Sequence, residues 1–258
     1  MDNTYTLITG ASKGIGKSMA LECAKRSQNL ILVARSEPEL VAAAAEISKI
    51  YPVMVKFLAG DLTDGGFRTK LFEWCQNENL PVGILINNAG FDVWGDFSQS
   101  DINQQLNLID LNIKALVDLT HKFLPQLKQQ RKAHLLNVAS LAGYYPIAYM
   151  SVYSASKAFV INFSRALRYE LRSSSVKVSC LCPGSVATDF WKRNGMLPAG
   201  KDDNSGKMSA GSVAGSAISA MMRGKAVIVP GIVNKIYSPF LKLFPWLATR
   251  IYAYMIQP

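Results

Sequence analysis

The sequence predicts an α/β fold in which a doubly wound parallel sheet carries helices on both faces. Short apolar runs alternate with stretches of helical composition through residues 4–90. These runs are continuous rather than alternating in polarity, as expected for parallel strands buried on both faces. A glycine-rich turn joins the first run to the first helix. With 258 residues, of which 49% are hydrophobic and 18% charged, the chain is long and apolar enough to bury such a core.

The first part of the chain predicts four strands connected by three helices. Right-handed crossovers through the helices make the strands parallel. The expected strands are Thr4–Thr9, Asn29–Arg35, Val53–Asp61 and Gly83–Gly90, and the expected helices are Lys17–Arg26, Glu39–Ile50 and Phe67–Glu78.

The pattern continues in the second part with longer helices. One long helix is expected at Asp101–Leu127, before a fifth strand at Ala133–Ser140. A second is expected at Ser151–Ser173, before a sixth strand at Val176–Gly184. The small residues of Ser209–Arg223 are typical of a further packed helix.

The turn after the first strand has the composition of a phosphate site. Gly10, Gly14 and Gly16 allow a tight turn and a close approach of a pyrophosphate, which the amino end of the following helix attracts. The alternative is an ordinary strand-to-helix turn. Its position between a strand and a helix favours a dinucleotide.

The end of the second strand indicates which dinucleotide is bound. An acidic residue there would accept the 2′-hydroxyl of NAD, but this chain has Arg35 followed by Ser36. Arg35 suits a 2′-phosphate, and Lys13 in the glycine turn adds a second cation. The alternative is that both are solvated surface charges. We expect NADP(H) to be preferred over NAD(H).

A hydroxyl, a phenol and an ammonium are spaced so that they can meet. Tyr153 and Lys157 share a helix face, and Ser140 ends the strand that precedes them. An ammonium beside a phenol favours the phenolate, so the pair suits proton transfer to a substrate oxygen held by Ser140. The alternative is a helix in which Tyr and Lys occur by chance.

Aromatic and apolar residues follow the fourth strand at Phe91, Val93 and Trp94, and they are candidate pocket walls.

Taken together, these motifs resemble the short-chain dehydrogenase/reductase family. Thr9–Gly16 is similar to its T-G-x-x-x-G-x-G turn and Asn87–Gly90 to its N-N-A-G segment. Asn112 lies where the family has a helical Asn, Ser140 and Tyr153-x-x-x-Lys157 match its catalytic set, and 183–188 is similar to P-G-x-V-x-T.

The resemblance implies a Rossmann-type fold, with Lys225–Pro230 as the last of seven parallel strands. Residues 1–231 would form one domain with a substrate lid at about 189–210. Residues 232–258 would form an apolar, basic tail that is not an independent domain.

The resemblance also implies an oxidoreductase that moves a hydride between a nicotinamide and a carbonyl or secondary alcohol. Tyr153 would be the acid, Lys157 would lower its pKa and bind the nicotinamide ribose, Ser140 would hold the carbonyl oxygen, and Asn112 would hold a relay water. The full set of expected cofactor contacts is Gly10, Ser12, Lys13, Gly14, Ile15, Gly16, Arg35, Ser36, Asp61, Leu62, Asn87, Ala89, Gly90, Tyr153, Lys157, Pro183, Gly184, Val186 and Thr188.

The expected pocket resembles the branch of the family that acts on long-chain 3-oxoacyl thioesters or hydroxysteroids, so a role in lipid metabolism follows. The expected substrate-pocket residues are Phe91, Val93, Trp94, Leu141, Tyr144, Tyr145 and Trp191. Two alternatives stay open: a cofactor-binding regulatory protein without turnover, and an isomerase or dehydratase on the same scaffold.

Charge is concentrated at the end of the chain. The formal net charge is +10, and residues 204–258 contain six basic residues and no acidic one. The apolar, basic tail is typical of two short amphipathic helices at a membrane interface. Alternatively, it packs over the pocket or against a second subunit, and members of the family commonly form dimers or tetramers. We expect no nucleic-acid partner.

The four cysteines and two histidines give little material for a metal site. Cys180 and Cys182 share one face of a strand, which favours buried free thiols over a metal pair. We therefore expect no metal and a reduced, cytoplasmic protein, with membrane association left open by the tail.

Overall fold

The computed structural model describes residues 4–187 and 207–255 of the chain. Its strands are β1 (Tyr5–Thr9), β2 (Asn29–Ala34), β3 (Val55–Ala59), β4 (Val82–Asn87), β5 (Ala133–Val138), β6 (Val176–Leu181), β7 (Val186–Ala187), β8 (Met208–Ser209) and β9 (Val227–Ile228). Seven of them form one parallel sheet in the order β3-β2-β1-β4-β5-β6-β9, while β7 and β8 form a separate pair. The predicted seven-stranded, doubly wound sheet is therefore confirmed.

Helices connect these strands. They are α1 (Gly14–Ala24), α2 (Glu37–Ile50), α3 (Gly65–Asn77), α4 (Ile102–Ile109), α5 (Leu116–Gln129), α6 (Ser151–Glu170), α7 (Ala210–Met222), α8 (Ile232–Leu243) and α9 (Pro245–Met255). Every predicted helix outside the tail matches one of these except the long one at Asp101–Leu127, which comprises α4, α5 and a linking segment.

The sheet is covered on both faces because successive side chains of each central strand point to opposite sides. In β2, Leu30 and Leu32 belong to the cluster under α1, α2 and α7. Ile31 and Val33 belong to the cluster under α3, α5 and α6. All four are fully buried, which explains why the strand is continuously apolar in the sequence. The described residues thus form one domain around the seven-stranded sheet.

A π-helical segment, Asp110–Ala115, interrupts the long helix that the sequence predicts. One extra residue in the turn leaves the helix axis continuous but rotates the side chains that follow. π-segments inside α-helices are rare and occur frequently at functional sites. Here the segment carries the buried Asn112.

The tail contains the two short helices that its sequence predicts, α8 and α9. Each contributes one buried apolar residue, Leu241 and Ala248, to the cluster that surrounds Tyr153. The tail therefore packs against the pocket region through its inner side. Among the described helices, none combines the length and apolar character needed to cross a membrane.

Candidate active site

The site lies at the carboxyl edge of the sheet, between β1 and β4, where the strand order reverses direction. Ligands of open α/β sheets bind at such a switch point. Thr9 closes the inner end of this crevice, since its Oγ1 accepts hydrogen bonds from the backbone N–H groups of Asn88, at 2.9 Å, and Ala89, at 3.0 Å. The side-chain amide of Asn88 donates to the carbonyl oxygens of Thr9, at 2.9 Å, and Gly10, at 3.2 Å. These bonds hold the turns after the two strands together.

The glycine turn has the shape of a phosphate cradle. Gly10 and Gly14 have φ values of +65° and +58°, in the left-handed region that favours glycine. A Cβ on Gly16 would lie 2.1 Å from the carbonyl oxygen of Gly10. The residue before the helix, Lys13, is extended and provides no side-chain cap, so the first amides of α1 have no cap from this residue. A dinucleotide pyrophosphate fits this cradle by chemistry and by space.

One cavity of about 880 Å³ joins the cradle to the predicted catalytic residues. Most of the predicted cofactor residues line it, from the glycine turn through the segments after β4 and β6. The predicted residues on its wall are Gly10, Lys13, Gly14, Ile15, Gly16, Ala89, Gly90, Ser140, Leu141, Tyr145, Tyr153, Lys157, Pro183, Gly184 and Val186. The structure thus brings together groups that are far apart in sequence.

Ser140, Tyr153 and Lys157 meet on the wall of this cavity, as their spacing predicts. Ser140 follows β5, caps the short turn 141–143 and accepts a hydrogen bond from the N–H of Ala142 at 3.1 Å. Tyr153 and Lys157 lie in the first two turns of α6 and are both buried. The Lys157 Nζ lies 5.6 Å from the centroid of the Tyr153 ring and donates to the Val138 carbonyl at 3.2 Å.

Burial dominates the ionisation of this pair. It raises the pKa of Tyr153, the negative charge of Asp92 raises it further, and a hydrogen bond with Ser140 lowers it. Burial also lowers the pKa of Lys157 to about 8. In the protein without cofactor, burial and the charge of Asp92 outweigh the Ser140 hydrogen bond, so the pKa of Tyr153 lies above its ordinary value.

Asn112 links the helix α6 to the loop after β4. Its Oδ1 accepts from the Phe91 N–H at 3.1 Å, and its Nδ2 donates to the Phe91 carbonyl at 2.9 Å and to Ser156 Oγ at 3.2 Å. Ser156 Oγ in turn donates to the Tyr153 carbonyl at 2.7 Å. The amide thus fixes the loop against the backbone of Tyr153, a contact that sequence reasoning did not predict.

Three polar residues lie where the adenosine end of a dinucleotide is expected, two of them after β2 and one in the turn after β1. Arg35 is exposed and has no ion-pair partner among the described residues. Ser36 precedes α2 without using its side chain as a cap. Lys13 pairs with Glu39 at 2.9 Å, and both side chains are about two-fifths exposed, at 42% and 39%. Arg35 is therefore available to bind an anion. Lys13 can bind an anion only after its ion pair with Glu39 is broken.

Besides Arg35 and Ser36, four described residues of the predicted cofactor set lie off the wall of the central cavity. Asp61 is exposed, and its carboxylate accepts from the Thr63 N–H and Oγ1, both at 2.9 Å. Leu62 points into the core, so only its backbone is available to an adenine. Ser12 lies in the turn but not on the cavity wall.

Asn87 is the fourth, and the structure places its side chain away from the cavity. Its side chain is buried beneath the site, where Nδ2 donates to Thr120 Oγ1 at 3.0 Å and to Asn137 Oδ1 at 2.9 Å. It lies on the last residue of β4 and points into the helix layer. The next residue, Asn88, points to the cavity instead. A strand reverses its side chains at each residue, so the two amides serve opposite faces.

The predicted substrate-pocket residues converge on Tyr153. An apolar cluster contains Tyr153 and Tyr145, with Phe91, Val93, Trp94 and Tyr144 packed against it. Leu141 belongs to a neighbouring cluster that shares Tyr144. Trp191, Thr188 and most of the predicted lid at 189–210 lie outside the described residues.

Several residues of the site were missed from the sequence. Ile147, Met150 and the tail residues Asn234 and Leu241 line the cavity. Asn234 lies against Gly184, whose Cβ would meet its amide at 2.8 Å. Their residue types are common in helices and loops, so the sequence contains no signal for them.

The cysteines are free and buried, as predicted. The Sγ atoms of Cys180 and Cys182 lie 3.9 Å apart on one side of β6 and its extension. Within residues 4–187 and 207–255, no three His, Cys, Asp or Glu side chains are grouped in a way that could hold a metal ion.

Comparison with known proteins gives a match over most of the chain. The sequence profile described as short chain dehydrogenase matches residues 4–196. A very-long-chain 3-oxoacyl-CoA reductase of Anas platyrhynchos is 34% identical over 194 residues, covering 73% of this chain and 61% of the relative. A 17-beta-hydroxysteroid dehydrogenase type 3 of Mus musculus is 34% identical over 192 residues, covering 73% and 62%. The chain therefore spans about three-fifths of the length of these relatives.

Solved structures match the fold over nearly the whole chain. A short-chain dehydrogenase from Sphingobium yanoikuyae in complex with NADPH has a TM-score of 0.83 and 31% identity, covering 96% of this chain and 95% of that one. A short chain dehydrogenase/reductase from Burkholderia phymatum in complex with NAD has a TM-score of 0.84 and 23% identity, covering 96% and 95%. The two cofactors thus both occur among structures of this fold.

Proposed function

The chain belongs to the short-chain dehydrogenase/reductase family, and on that premise we propose that it is an NADP(H)-dependent oxidoreductase acting on an apolar carbonyl or secondary alcohol. The observation that carries the proposal is the meeting of Ser140, Tyr153 and Lys157 on the wall of the cavity that begins at the glycine turn. A chance Tyr and Lys on a surface helix would be neither buried nor joined to a phosphate cradle. The cavity accounts for both features.

In the proposed reaction, the nicotinamide supplies or accepts the hydride when bound. Ser140 holds the substrate oxygen, and Tyr153 donates its phenolic proton to that oxygen in reduction or accepts it in oxidation. The buried Lys157 provides the positive charge that offsets the phenolate left behind. Asn112 holds the loop that faces this pair, and we propose that it also positions the water that passes protons to Lys157.

The test of this assignment is a panel of carbonyl compounds with NADPH or NADH, followed by the loss of cofactor absorbance. We expect turnover by the wild type and none by Tyr153→Phe, with NADPH binding retained because the ring still packs. Tyr169→Phe is a matched control, since this phenol is exposed at the far end of α6. Turnover in Tyr153→Phe equal to wild type would refute the mechanism.

The preference for NADP(H) rests on Arg35. An exposed guanidinium at the end of β2, without an ion-pair partner among the described residues, suits a 2′-phosphate, which it binds in a bidentate manner. We expect Arg35→Ala to weaken NADPH binding by about 10–100-fold, as is typical for losing a charge-assisted contact, and to leave NADH binding nearly unchanged. Lys49→Ala removes the same charge from the end of α2 and is the control. Equal losses for the two cofactors would contradict the assignment.

The substrate class rests on the apolar cluster beside Tyr153. Aromatic and aliphatic side chains surround the proton donor. A large apolar substrate therefore costs less free energy to desolvate on binding there than a polar, hydrated one. We propose long-chain 3-oxoacyl compounds, with or without a thioester, or steroid-like ketones, which also connects the protein to lipid metabolism. Turnover restricted to short polar ketones would exclude this class.

We propose that the tail makes peripheral contact with an anionic membrane in an otherwise cytoplasmic protein. Its outer side exposes Ile232, Ile236, Leu243 and Trp246, at 75%, 70%, 72% and 60%. Exposed apolar area of this density is unusual for a free surface, and the described tail carries basic but no acidic residues.

Sedimentation with vesicles tests this contact. We expect the wild type to bind anionic vesicles more strongly than zwitterionic ones and Ile236→Asp to lose binding. Val41→Asp, on the exposed side of α2, is the control. If vesicles do not bind and Ile236→Asp instead lowers the molar mass in solution, the tail is a subunit interface.

A second copy of the chain has a candidate interface elsewhere. Ile102, Leu106 and Ile109 form an exposed apolar row along α4, and Phe159 and Tyr169 are exposed on α6. We propose that the protein forms a homodimer or homotetramer through these two helices. Light scattering with Leu106→Asp, compared with the wild type, tests the interface, and an unchanged oligomeric mass would exclude it.

Two other functions share most of these features. A regulatory protein would bind the cofactor without turnover, and an isomerase or dehydratase would convert substrate without net change in the cofactor. The substrate panel separates all three, because only an oxidoreductase consumes one cofactor per product.

We propose that residues 232–258 and residues 1–231 form one functional unit. Removal of the tail should impair turnover, because Asn234 and Leu241 line the cavity.

A further inference from the structure

Asp92 is a buried carboxyl group beside the reacting pair that the proposed mechanism does not use. It lies in the loop after β4 and is only 2% exposed. Neither carboxyl oxygen has a hydrogen-bond partner on another described residue, and its own backbone N–H is the one donor that acts on it. Burying a carboxyl without a partner destabilises the folded state, and buried polar groups are nearly always paired. The presence of Asp92 at this position therefore suggests a role.

The position of Asp92 is fixed relative to Tyr153. The preceding residue, Phe91, is held at both its N–H and its carbonyl by Asn112. Asn112 also donates to Ser156, whose hydroxyl donates to the backbone carbonyl of Tyr153. Hydrogen bonds therefore join the loop that carries the carboxyl to the helix that carries the phenol.

Asp92 acts on both members of the reacting pair through its charge. Its ionised form raises the pKa of Tyr153 and also raises that of Lys157. No ion pair within 4.0 Å joins it to Lys157 in the described part of the chain, and the Lys157 ammonium donates to Val138 instead. The two charges are near enough to interact and are not neutralised by direct contact.

Few other titratable groups face Asp92 among the described residues. On α6 these are Tyr153 and Lys157. On its own loop, Asp96 is exposed and bonds to Ser98. The thiols Cys180 and Cys182 on the β6 side act on Lys157 rather than on Asp92.

We propose that Asp92 is a positioning residue that sets the pH at which Tyr153 passes between phenol and phenolate. The proposal rests on the proposed function and deepens it. Reduction transfers the phenolic proton to the substrate oxygen and leaves the phenolate, and oxidation reverses this transfer. An ionised Asp92 opposes the phenolate by like-charge repulsion, whereas a protonated Asp92 does not.

Asp92 itself changes charge in the neutral range. Burial raises its pKa to about 7, although its own backbone N–H and the Lys157 ammonium lower it. Below that pH the site carries one negative charge less, and Tyr153 ionises more easily. The two ionisations are therefore coupled, and pH profiles report the pair rather than either group alone.

The pH dependence of kcat/KM tests the proposal. The pH profile of kcat/KM has one limb whose midpoint is the apparent pKa of Tyr153. In Asp92→Asn we expect this limb to move to lower pH by about one unit or more, which is a tenfold change in the ratio of phenolate to phenol at a given pH. The limb should move equally in carbonyl reduction and in alcohol oxidation, because the overall equilibrium is unchanged. Asp92→Glu keeps the charge and should restore the wild-type limb, and Asp96→Asn should leave it in place.

Stability of the protein without cofactor gives a second readout. A carboxyl whose pKa is raised on folding binds its proton more tightly in the native state, so stability falls as pH rises from about 4 to about 7. The melting temperature of wild type relative to Asp92→Asn should therefore fall across this range and level off above it. Asp92→Ser replaces Asp92→Asn if the amide variant does not fold.

The outcomes separate this inference from the proposed function. If Tyr153→Phe is inactive while the neutral Asp92 variant keeps the wild-type limb and the wild-type stability profile, the inference is wrong and the function stands. If Tyr153→Phe retains full activity, the proposed function fails first. A shifted limb that Asp92→Glu restores supports the inference.

Discussion

The contact between Gly16 and Gly10 gives a sharp prediction for cofactor binding. A Cβ on residue 16 would lie 2.1 Å from the carbonyl oxygen of Gly10, 2.8 Å from its carbonyl carbon and 2.6 Å from the side-chain Nδ2 of Asn88. Two of these atoms belong to the backbone, so no rotamer change relieves the overlap. The helix α1 must move away from the turn.

The cost of Gly16→Ala follows from that movement. Overpacking at a close contact typically costs about 1–3 kcal/mol of stability. We expect the upper end of this range, because the atoms that the new Cβ would meet on Gly10 belong to the backbone and cannot move aside as a side chain can. The displacement also moves the first amides of α1 away from the pyrophosphate. We expect the free energy of unfolding to fall by about 2–3 kcal/mol and the Kd for NADPH to rise by at least about tenfold, for which 1.4 kcal/mol suffices.

Denaturant unfolding and titration of NADPH by fluorescence measure the two effects. Gly211→Ala is the matched control, because a Cβ there meets nothing within 4 Å and the residue lies in α7. It should stabilise slightly through helix propensity, by about 0.5–1 kcal/mol. Wild-type stability together with wild-type NADPH affinity in Gly16→Ala would refute the proposed cradle.

Three further perturbations test other parts of the structure. Burial lowers the pKa of His134 to about 4 from 6.5, so the native state excludes a proton that the unfolded chain binds, and stability should fall by up to about 3 kcal/mol as pH drops from 6.5 to 4; His134→Leu should lose this dependence in thermal melts, and an unchanged slope would contradict it. Ser156→Ala removes the link from Asn112 to the Tyr153 carbonyl and should lower kcat by about tenfold or more with little change in KM, since about a 1 Å misplacement suffices. Asn137→Leu leaves the amide of Asn87 without that acceptor and should cost about 1–3 kcal/mol of stability by denaturant unfolding, and a neutral result would show that the buried amide network contributes nothing.

The sheet was predictable from the sequence because parallel strands buried on both faces must be continuously apolar. The β2 segment illustrates this, since Leu30 to Val33 are all fully buried. Strand ends were less predictable: the third strand was expected at Val53–Asp61 but pairs only over Val55–Ala59, because the flanking residues turn toward loops. Apolar composition marks an interior strand but does not mark where pairing stops.

The site was predictable where a motif fixes both residue type and spacing. Tyr153 and Lys157 lie one turn apart on α6, and the prediction needed only helical geometry. The π-segment around Asn112 was not predictable, because one extra residue per turn leaves no trace in composition. Asp92 was missed for a different reason: its burial depends on tertiary packing, and a carboxyl in a loop is normally exposed.

The central claim is that Tyr153 exchanges the proton in a hydride-transfer reaction at the cavity that begins at the glycine turn. Single-turnover mixing of NADPH-loaded protein with an apolar ketone, for wild type and Tyr153→Phe, tests it most directly. We expect rapid loss of NADPH absorbance in the wild type and a rate at least about 1,000-fold slower in Tyr153→Phe, near the range for losing general acid catalysis, with equal NADPH affinity. Equal single-turnover rates in the two proteins would contradict the account.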